Sequence, residues 1–386
     1  MKVALLENYA PDQQQSMLRF GAMLRRHAEA RGWNLRVIAP RPSGVSQRLG
    51  RSANAAMRKW LGYLDKYVLF PPRLRREVRA FGSAERVLVH IVDHSNAVYV
   101  PRVPDSETRW IATCHDLLAV RGSLGEDTDC PASALGRRLQ RAIVRGLGRS
   151  DAVACDSTST LCDLERLVVP ARLQARCVIF LGLNHSYRRV DAVAARARLR
   201  SIEGVPWEQP FVLHVGSNLG RKNKSGVLRV FGRLAGAWPG NLVFCGAPLT
   251  PELRAQAARA GVSARVFAVP APDNAQLEAA YSLAHALHYP SKCEGFGWPM
   301  IEAQACGCPV VCSDRTSLPE IGGEAALVHA LDDEAGMAES LRRLGSSEFR
   351  AAVAARGLDN IQRFKAERMI DAYHALYKAM LGASSR

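Results

Sequence analysis

Residues 293–303 read CEGFGWPMIEA, and the apolar run HALHYP at 285–290 stands shortly before them. This order describes a strand that ends, turns on glycine and opens a helix. Gly295 and Gly297 let the backbone turn tightly and approach a ligand with no Cβ in the way. Pro299 suits the first helical turn, where its missing N–H would have no intrahelical partner. Glu294 before the helix and Glu302 within it then place two carboxylates beside free backbone amides. Carboxylates accept hydrogen bonds from hydroxyls, while the amides and the positive end of the helix dipole attract phosphate. The volume they frame suits a sugar attached to a diphosphate.

Outward from this stretch the chain alternates strand-like and helical runs, the pattern of a parallel α/β protein. KVALLE, LRVIAP, RVLVHIV, RWIATC, AVAC and CVIFL are the strands expected in the first half; FVLHVG, NLVFCG, ARVFAV, HALHYP, PVVCS and AALVH are those of the second. A chain of 386 residues exceeds what one core organises. Two Rossmann-like domains are therefore expected, at 1–188 and 210–365, joined by a linker at 189–209, with a last helix at 366–386 packing back across the interface. In open parallel sheets ligands bind beyond the carboxyl ends of the strands. That rule selects Asp93 and His94 after VLVHIV, His115 and Asp116 after IATC, Asp156 and Ser157 after AVAC, Ser217 to Lys224 after FVLHVG, and Glu294 beyond ALHYP. In HVGSNLGRKNKSG (214–226), Arg221 and Lys222 precede a helix start, where two adjacent cations neutralise a diphosphate and stabilise charge that grows as a sugar bond breaks.

From Pro290 to Val328 the sequence is PSKCEGFGWPMIEAQACGCPVVCSDRTSLPEIGGEAALV. It resembles the E-x7-E signature of the retaining glycosyltransferases of family 4, with the EGFG-x-P-x-x-E-A core, the CG-x-PVV run and the LPE-x-x-G-x-A-A segment. The resemblance implies a GT-B fold, two Rossmann-like domains facing each other across an interdomain crevice. It implies that Glu294 contacts the donor sugar hydroxyls and Glu302 the nucleotide ribose, and that Arg221 and Lys222 hold the diphosphate. The donor-binding set then comprises Ser217, Gly295, Phe296, Gly297, Trp298, Pro299, Met300 and Glu302. Some relatives carry an Arg directly after the strand's glycine, where this chain has Ser217. His115 in TCHDL resembles the family's histidine near the donor phosphate and the reacting carbon, which adds it to Glu294, Arg221 and Lys222 as a catalytic residue. Ser157 in CDSTST resembles a Ser/Thr turn of the family. Many relatives have a Gly-Gly pair in the first strand-to-helix loop; NYAPDQQQSM stands here instead, so Asn8, Asp12 and Gln13 to Gln15 offer side-chain hydrogen bonds. With Asp93, His94 and Ser157, Asn8 and Asp12 form the expected acceptor-binding set.

Net charge is +16 and uneven: residues 1–200 hold 33 basic and 18 acidic residues, the remainder 19 and 18. At 100° per residue Ala53, Ala56, Met57, Trp60, Leu61, Leu64, Tyr67 and Val68 share one helical face, and Arg51, Arg58, Lys59 and Lys66 the other. PPRLRREVR follows and adds Arg73, Arg75, Arg76 and Arg79. A basic amphipathic helix over 51–69 with Trp and Tyr reads as an interfacial element meeting an anionic membrane through residues 51–79. A crossover helix packed on the sheet with a solvated basic face is the other reading. No window approaches the roughly 20 apolar residues that span a bilayer, so a cytoplasmic protein, peripheral on the inner face of the cytoplasmic membrane, is expected. The ten cysteines lie mostly in apolar strand-like runs and read as reduced core thiols. No carboxylate pair is placed for a divalent ion, so no metal or other cofactor is expected, and no nucleic-acid-reading module is visible. The expected activity is retaining, metal-independent hexosyl transfer from a nucleotide diphosphate sugar to a saccharide or lipid-linked saccharide in bacterial surface-glycan assembly. Epimerase, phosphorylase and an inactive nucleotide-sugar-binding scaffold are the competing uses of the same crevice.

Overall fold

The computed structural model describes residues 1–12, 14–50, 54–82, 85–101 and 107–382. Gln13 of the first loop and Arg51 and Ala53 of the basic helix lie outside the described residues. Six parallel strands build the first sheet: β1 (Lys2–Leu6), β2 (Asn34–Ile38), β3 (Val87–Ile91), β4 (Thr108–Cys114), β5 (Ala152–Cys155) and β6 (Ala175–Val178), in the order β2-β1-β3-β4-β5-β6. Six more build the second: β7 (Phe211–Gly216), β8 (Asn241–Gly246), β9 (Val266–Pro270), β10 (Ala286–Tyr289), β11 (Val310–Ser313) and β12 (Ala326–His329), in the order β12-β11-β10-β7-β8-β9. Every residue of β3, β4, β5, β10 and β11 is buried. Helices cover both faces of a parallel sheet, so central strands read as continuous apolar runs instead of alternating ones. Direction reverses between β1 and β3 in one sheet and between β7 and β10 in the other, and a ligand crevice opens beyond the carboxyl ends at such points.

All twelve strands lie within or across the apolar runs read from the sequence, with one shift. The run CVIFL predicted a strand over 177–181, whereas β6 ends at Val178. Ile179 still donates its N–H to the Cys155 carbonyl at 2.9 Å, but Ile179 and Leu181 then leave the ladder to join a cluster with Phe364 and Tyr373. Tertiary burial, and not strand pairing, explains the end of that run.

The basic amphipathic helix is a broken one. Ala55–Leu64 passes through a π-helical turn, Asp65–Leu69, into Phe70–Phe81. Its inward side is set by Gly62 near the end of the first segment and by Asp65 at the start of the π turn: the buried Asp65 carboxylate accepts from Tyr9 Oη at 2.8 Å and Ser43 N at 3.1 Å. The extra residue of the π turn rotates the apolar stripe, so that Phe70, Leu74 and Val78 reach the core while Met57, Trp60 and Val68 remain 49%, 65% and 60% exposed. The sheet-packed reading of the stripe Met57–Trp60–Val68 is thereby corrected, because a buried hydrogen-bonded aspartate occupies the inward position.

The helix Ala366–Gly382 lies against the first sheet. Met369, Ile370, Tyr373 and Tyr377 are buried with Leu5, Phe20, Met23 and Leu24. Under them runs a polar chain: Tyr373 Oη and Thr113 Oγ1 are 2.7 Å apart, Thr113 Oγ1 and His90 Nε2 2.8 Å, and His90 Nδ1 and Tyr377 Oη 2.5 Å. Burial drives the His90 pKa down to about 3, so the ring is neutral, with one nitrogen donating and the other accepting. Tyr373→Ala, which removes both a buried ring and one link of this chain, should destabilise the protein by about 3–5 kcal/mol in urea unfolding. Tyr377→Phe should cost about 1 kcal/mol, since it strands His90 Nδ1; neutral outcomes for both would mean the helix contributes no core.

Candidate functional site

Two loops meet at the reversal point of the second sheet. After β7 the chain passes exposed Ser217, makes a 3₁₀ turn at Gly220–Lys222, and enters the helix Lys224–Ala235 through Asn223. Asn223 adopts φ 54°, caps that helix at Gly226 N, and donates to the Pro290 carbonyl at 3.0 Å. This pins the cation-bearing turn to the end of β10. Arg221 Nη1 reaches Glu294 Oε2 at 2.9 Å and the Cys293 carbonyl at 3.1 Å. Lys222 Nζ donates to Glu294 Oε1 at 2.6 Å and to Tyr289 Oη at 2.9 Å, and Tyr289 Oη donates to the same Glu294 oxygen at 2.8 Å.

Burial alone would raise the Glu294 pKa, but Lys222 and Arg221 outweigh it and hold the carboxyl below its ordinary value. A buried carboxylate is tolerated only with such pairing. Its backbone is also fixed: Glu294 N donates to Thr316 Oγ1 at 2.9 Å, and Ser317 Oγ donates to the carbonyls of Glu294 at 3.0 Å and Phe296 at 2.9 Å. Glu302 stands in a different environment. It accepts from Tyr281 Oη at 3.0 Å and Asn184 Nδ2 at 3.4 Å, with no ion pair among the described residues. Burial, only partly offset by Tyr281, Arg19 and Asn184, lifts its pKa to about 7.

The two glycines between these carboxylates are required by the backbone. Gly297, at φ 108°, precedes the helix Trp298–Ala305, with Pro299 in its first turn. Gly295 packs on the first sheet's loops so closely that a Cβ there would lie 2.0 Å from the His115 carbonyl oxygen. Phe296, Trp298 and Met300 hold the loop by packing: Phe296 meets Phe364 edge-on at 5.7 Å, Trp298 Nε1 donates to the Gly182 carbonyl at 3.1 Å, and Met300 is fully buried. Those three side chains anchor the loop from within the core.

Across the crevice His115 is buried, with Nδ1 2.5 Å from Asp156 Oδ2 and Nε2 2.8 Å from the Val92 carbonyl. The Val92 carbonyl only accepts, so Nε2 donates to it; the proton between Nδ1 and Asp156 is shared within a buried pair, in which burial pushes the Asp156 carboxyl up while the pairing favours the imidazolium. Burial works against that charge, yet Asp156, Asp93 and the Val92 carbonyl raise the pKa to about 9. Asn8 and Asp93 meet beyond β1 and β3: Asn8 Nδ2 donates to Asp93 Oδ2 at 2.5 Å and also to Gln14 Oε1. Asp93 accepts from Ser95 N and Oγ, and His94 Nδ1 lies 3.3 Å away. Asp12 sits apart from this group, paired with Lys66 at 2.7 Å. Ser157 caps the helix Thr158–Leu167 and donates across the crevice to the Gly295 carbonyl at 2.8 Å. Glu320 adds a second clasp, accepting from Thr158 N at 2.8 Å, and Asp129, at φ 60°, accepts from Arg221 N at 3.2 Å.

Sequence reading missed Tyr289, Tyr281, Asn184 and Thr316. A tyrosine closing a buried strand carries no signal distinguishing it from core, and Asn184 and Thr316 lie in loops whose path one sequence does not reveal. Among the described residues no group of three or more His, Cys, Asp or Glu side chains is placed to hold a metal, and all ten cysteines are free.

Residues 195–357 match the family model described as "Glycosyl transferases group 1". The O-antigen chain mannosyltransferase B of Escherichia coli is 44% identical over 101 residues, 25% of this chain and 26% of that protein. A D-inositol 3-phosphate glycosyltransferase of Segniliparus rotundus is 30% identical over 285 residues, 70% of this chain and 61% of that protein. The matched stretches thus span less than two thirds of either relative. Among solved structures, sucrose-phosphate synthase from Thermosynechococcus elongatus superposes with a TM-score of 0.72 at 20% identity over 100% of both chains. Anabaena HepE in complex with UDP-glucose gives 0.70 at 14% identity over 98% of this chain and 100% of its own. The chain is a GT-B-fold protein related to the group 1 glycosyltransferases.

Proposed function

We propose that this protein is a retaining, metal-independent glycosyltransferase that moves a hexose from a nucleotide diphosphate sugar to an acceptor hydroxyl. The observation that carries the reading is the buried Glu294 carboxylate, held ionised between Arg221 and Lys222 at the reversal point of the second sheet. All the hydrogen bonds described for the Arg221 guanidinium leave from Nη1, so Nε and Nη2 are left for phosphate oxygens. Glu294 supplies acceptors for sugar hydroxyls in the same place, and Glu302 accepts from the ribose. As the bond from the anomeric carbon to the diphosphate breaks, negative charge grows on the leaving oxygen beside two cations that are already positioned. The acceptor hydroxyl attacks on the same face, and its proton passes to the departing phosphate. The His115 imidazolium, fixed by Asp156, adds positive charge at the opposite wall.

In this reading residues 210–365 bind the donor, 1–188 bind the acceptor, 189–209 link them, and 366–386 close the interface. Asn8, Asp93 and His94 form the acceptor floor, with Asp12 at its rim, while Ser157 governs closure. The acceptor is a saccharide or lipid-linked saccharide of bacterial surface-glycan assembly, met on the inner face of the membrane through residues 51–79. The names of the two relatives, an O-antigen chain mannosyltransferase and a D-inositol 3-phosphate glycosyltransferase, support a polyhydroxylated acceptor.

A thermal-shift panel of UDP-, GDP- and ADP-sugars identifies the donor, because a ligand of the native state raises the melting temperature by mass action. With that donor, Glu294→Ala and Lys222→Ala should each lower transfer by about 10²–10³-fold, and Glu294→Gln should recover folding without recovering rate. Undiminished transfer by the Glu294 variants would overturn the assignment. A second test uses pH. Glu302 is ionised above its pKa of about 7 and protonated below it. If ribose binding needs the carboxylate, nucleotide affinity should fall about tenfold from pH 8 to pH 6, and titration calorimetry of Glu302→Gln should show that slope abolished. Gly295→Ala, which drives a methyl into the His115 carbonyl, should open the crevice: transfer collapses while nucleotide binding persists, with a larger radius of gyration in small-angle scattering.

A further inference from the structure

A trough outside the crevice runs between the helices Phe70–Phe81 and Ala134–Arg149. At one end is a cavity of about 550 Å³, next to the amino end of β4, with Arg75, Arg79, Arg145 and Arg149 on its walls and Leu74 and Val78 beneath. Among the described residues no carboxylate lines it, and none of the four guanidiniums has a hydrogen-bonding or ion-pair partner. Arg121 and Arg166, on the same half of the chain, are by contrast both paired, each holding Glu126 and Asp163. The indole Nε1 of Trp110, 5% exposed and also lining the cavity, has no hydrogen-bond partner. Four like charges left together in one concavity mark a place for a polyvalent anion.

The other end of the trough is apolar. A second cavity of about 530 Å³ is lined by Trp60, Leu64, Val68, Leu135 and Leu139, with Arg138 as its one cation among the described residues. An aromatic ladder joins the two ends. Ring centroids are 5.7 Å apart from Trp60 to Tyr63, 5.8 Å from Tyr63 to Tyr67, and 6.5 Å from Tyr67 to Tyr99, which borders the arginine cavity. Leu135, Leu139, Arg145 and Arg149, spaced four, six and four residues apart, fall within an arc of about 120° at 100° per residue. Neither a free phosphate nor a nucleic acid would cover the apolar half. A ligand with an anionic head and long apolar chains matches both halves.

We infer that this trough seats an anionic phospholipid, its phosphate between Arg75, Arg79, Arg145 and Arg149 and its acyl chains along the aromatic ladder toward Trp60 and Leu135. The inference rests on the membrane contact proposed above. It goes further by making that contact a phosphate-selective site and by bringing in the helix Ala134–Arg149. Guanidinium forks bind phosphate oxygens in pairs, a geometry lysine does not reproduce.

Co-sedimentation with vesicles of phosphatidylglycerol in phosphatidylcholine, against phosphatidylcholine alone, tests it on the full chain. Wild type should bind the anionic vesicles selectively. Arg145→Gln/Arg149→Gln should weaken binding about 30-fold, whereas Arg137→Gln/Arg141→Gln, an equal charge loss on the same helix outside the cavity, should weaken it by less than about 5-fold. Arg145→Lys/Arg149→Lys should fall between wild type and the Gln pair, and thermal melts identical to wild type confirm folding. Wild-type binding with equal losses in both Gln pairs, or with no loss, would overturn the lipid site and leave the membrane contact standing. Failure of wild type to bind either vesicle would overturn both. A melting-temperature rise with inorganic phosphate equal to that with dihexanoyl-phosphatidylglycerol would show an anion site and overturn the lipid assignment.

Discussion

The carboxylate of Glu294 has given up water for two cations and a phenol, and the surrounding architecture follows from that exchange. A buried ion triad is costly to desolvate and is retained only where every lone pair and proton finds a partner. Here the partners come from both sides of the strand reversal: Arg221 and Lys222 from beyond β7, Tyr289 and Glu294 itself from the end of β10. Asn223, in a left-handed conformation, ties the first loop to the Pro290 carbonyl. Thr316 and Ser317 tie the second to the segment after β11. The triad therefore needs three loops in register, and each is held by hydrogen bonds to backbone, which resist drift better than side-chain packing does.

The facing wall meets this triad through contacts that tolerate no bulk. Gly295 lies against the His115 carbonyl, Ser157 donates to the Gly295 carbonyl, and Thr158 and Glu320 close the outer edge. His115 is fixed by its own two acceptors, so its charge is set before any ligand arrives. Preorganised charge of this kind costs no reorganisation during reaction. The two buried glutamates are in opposite states: Glu294 is kept ionised by cations, while Glu302, with neutral hydrogen-bond donors, titrates near neutrality.

Much of this was legible in the sequence. The twelve strands announced themselves because central parallel strands are apolar on both faces, and glycine and proline punctuated the turn at 295–299. The positions of Asp93, His115, Asp156 and Glu294 just beyond strand ends followed from the order of the apolar runs. What could not be read depended on three-dimensional burial. The run at 177–181 left its sheet to pack on Phe364, and Asp65 decided which face of the basic helix turned inward. Phe296, Trp298 and Met300 stand beside the glycine turn yet serve as packing anchors. Tyr289 and Tyr281 look like core residues in sequence, and only their hydroxyl partners reveal otherwise. The four-arginine cavity was invisible because its two helices lie some 60 residues apart in the chain.

The helix Ala366–Gly382 belongs to the core built by the first strands, with Tyr373 and Tyr377 buried against Phe20 and His90. This has a consequence for biogenesis. The second sheet can be completed from contiguous sequence as the ribosome delivers it, whereas one face of the first sheet must wait for residues 366–382. Val3, Leu5 and Phe20, made early, stay uncovered while about 350 further residues are added, at roughly 5–20 residues per second. The half of the protein that is translated first is thus the half that finishes folding last, and for tens of seconds its open face is a natural client for a chaperone.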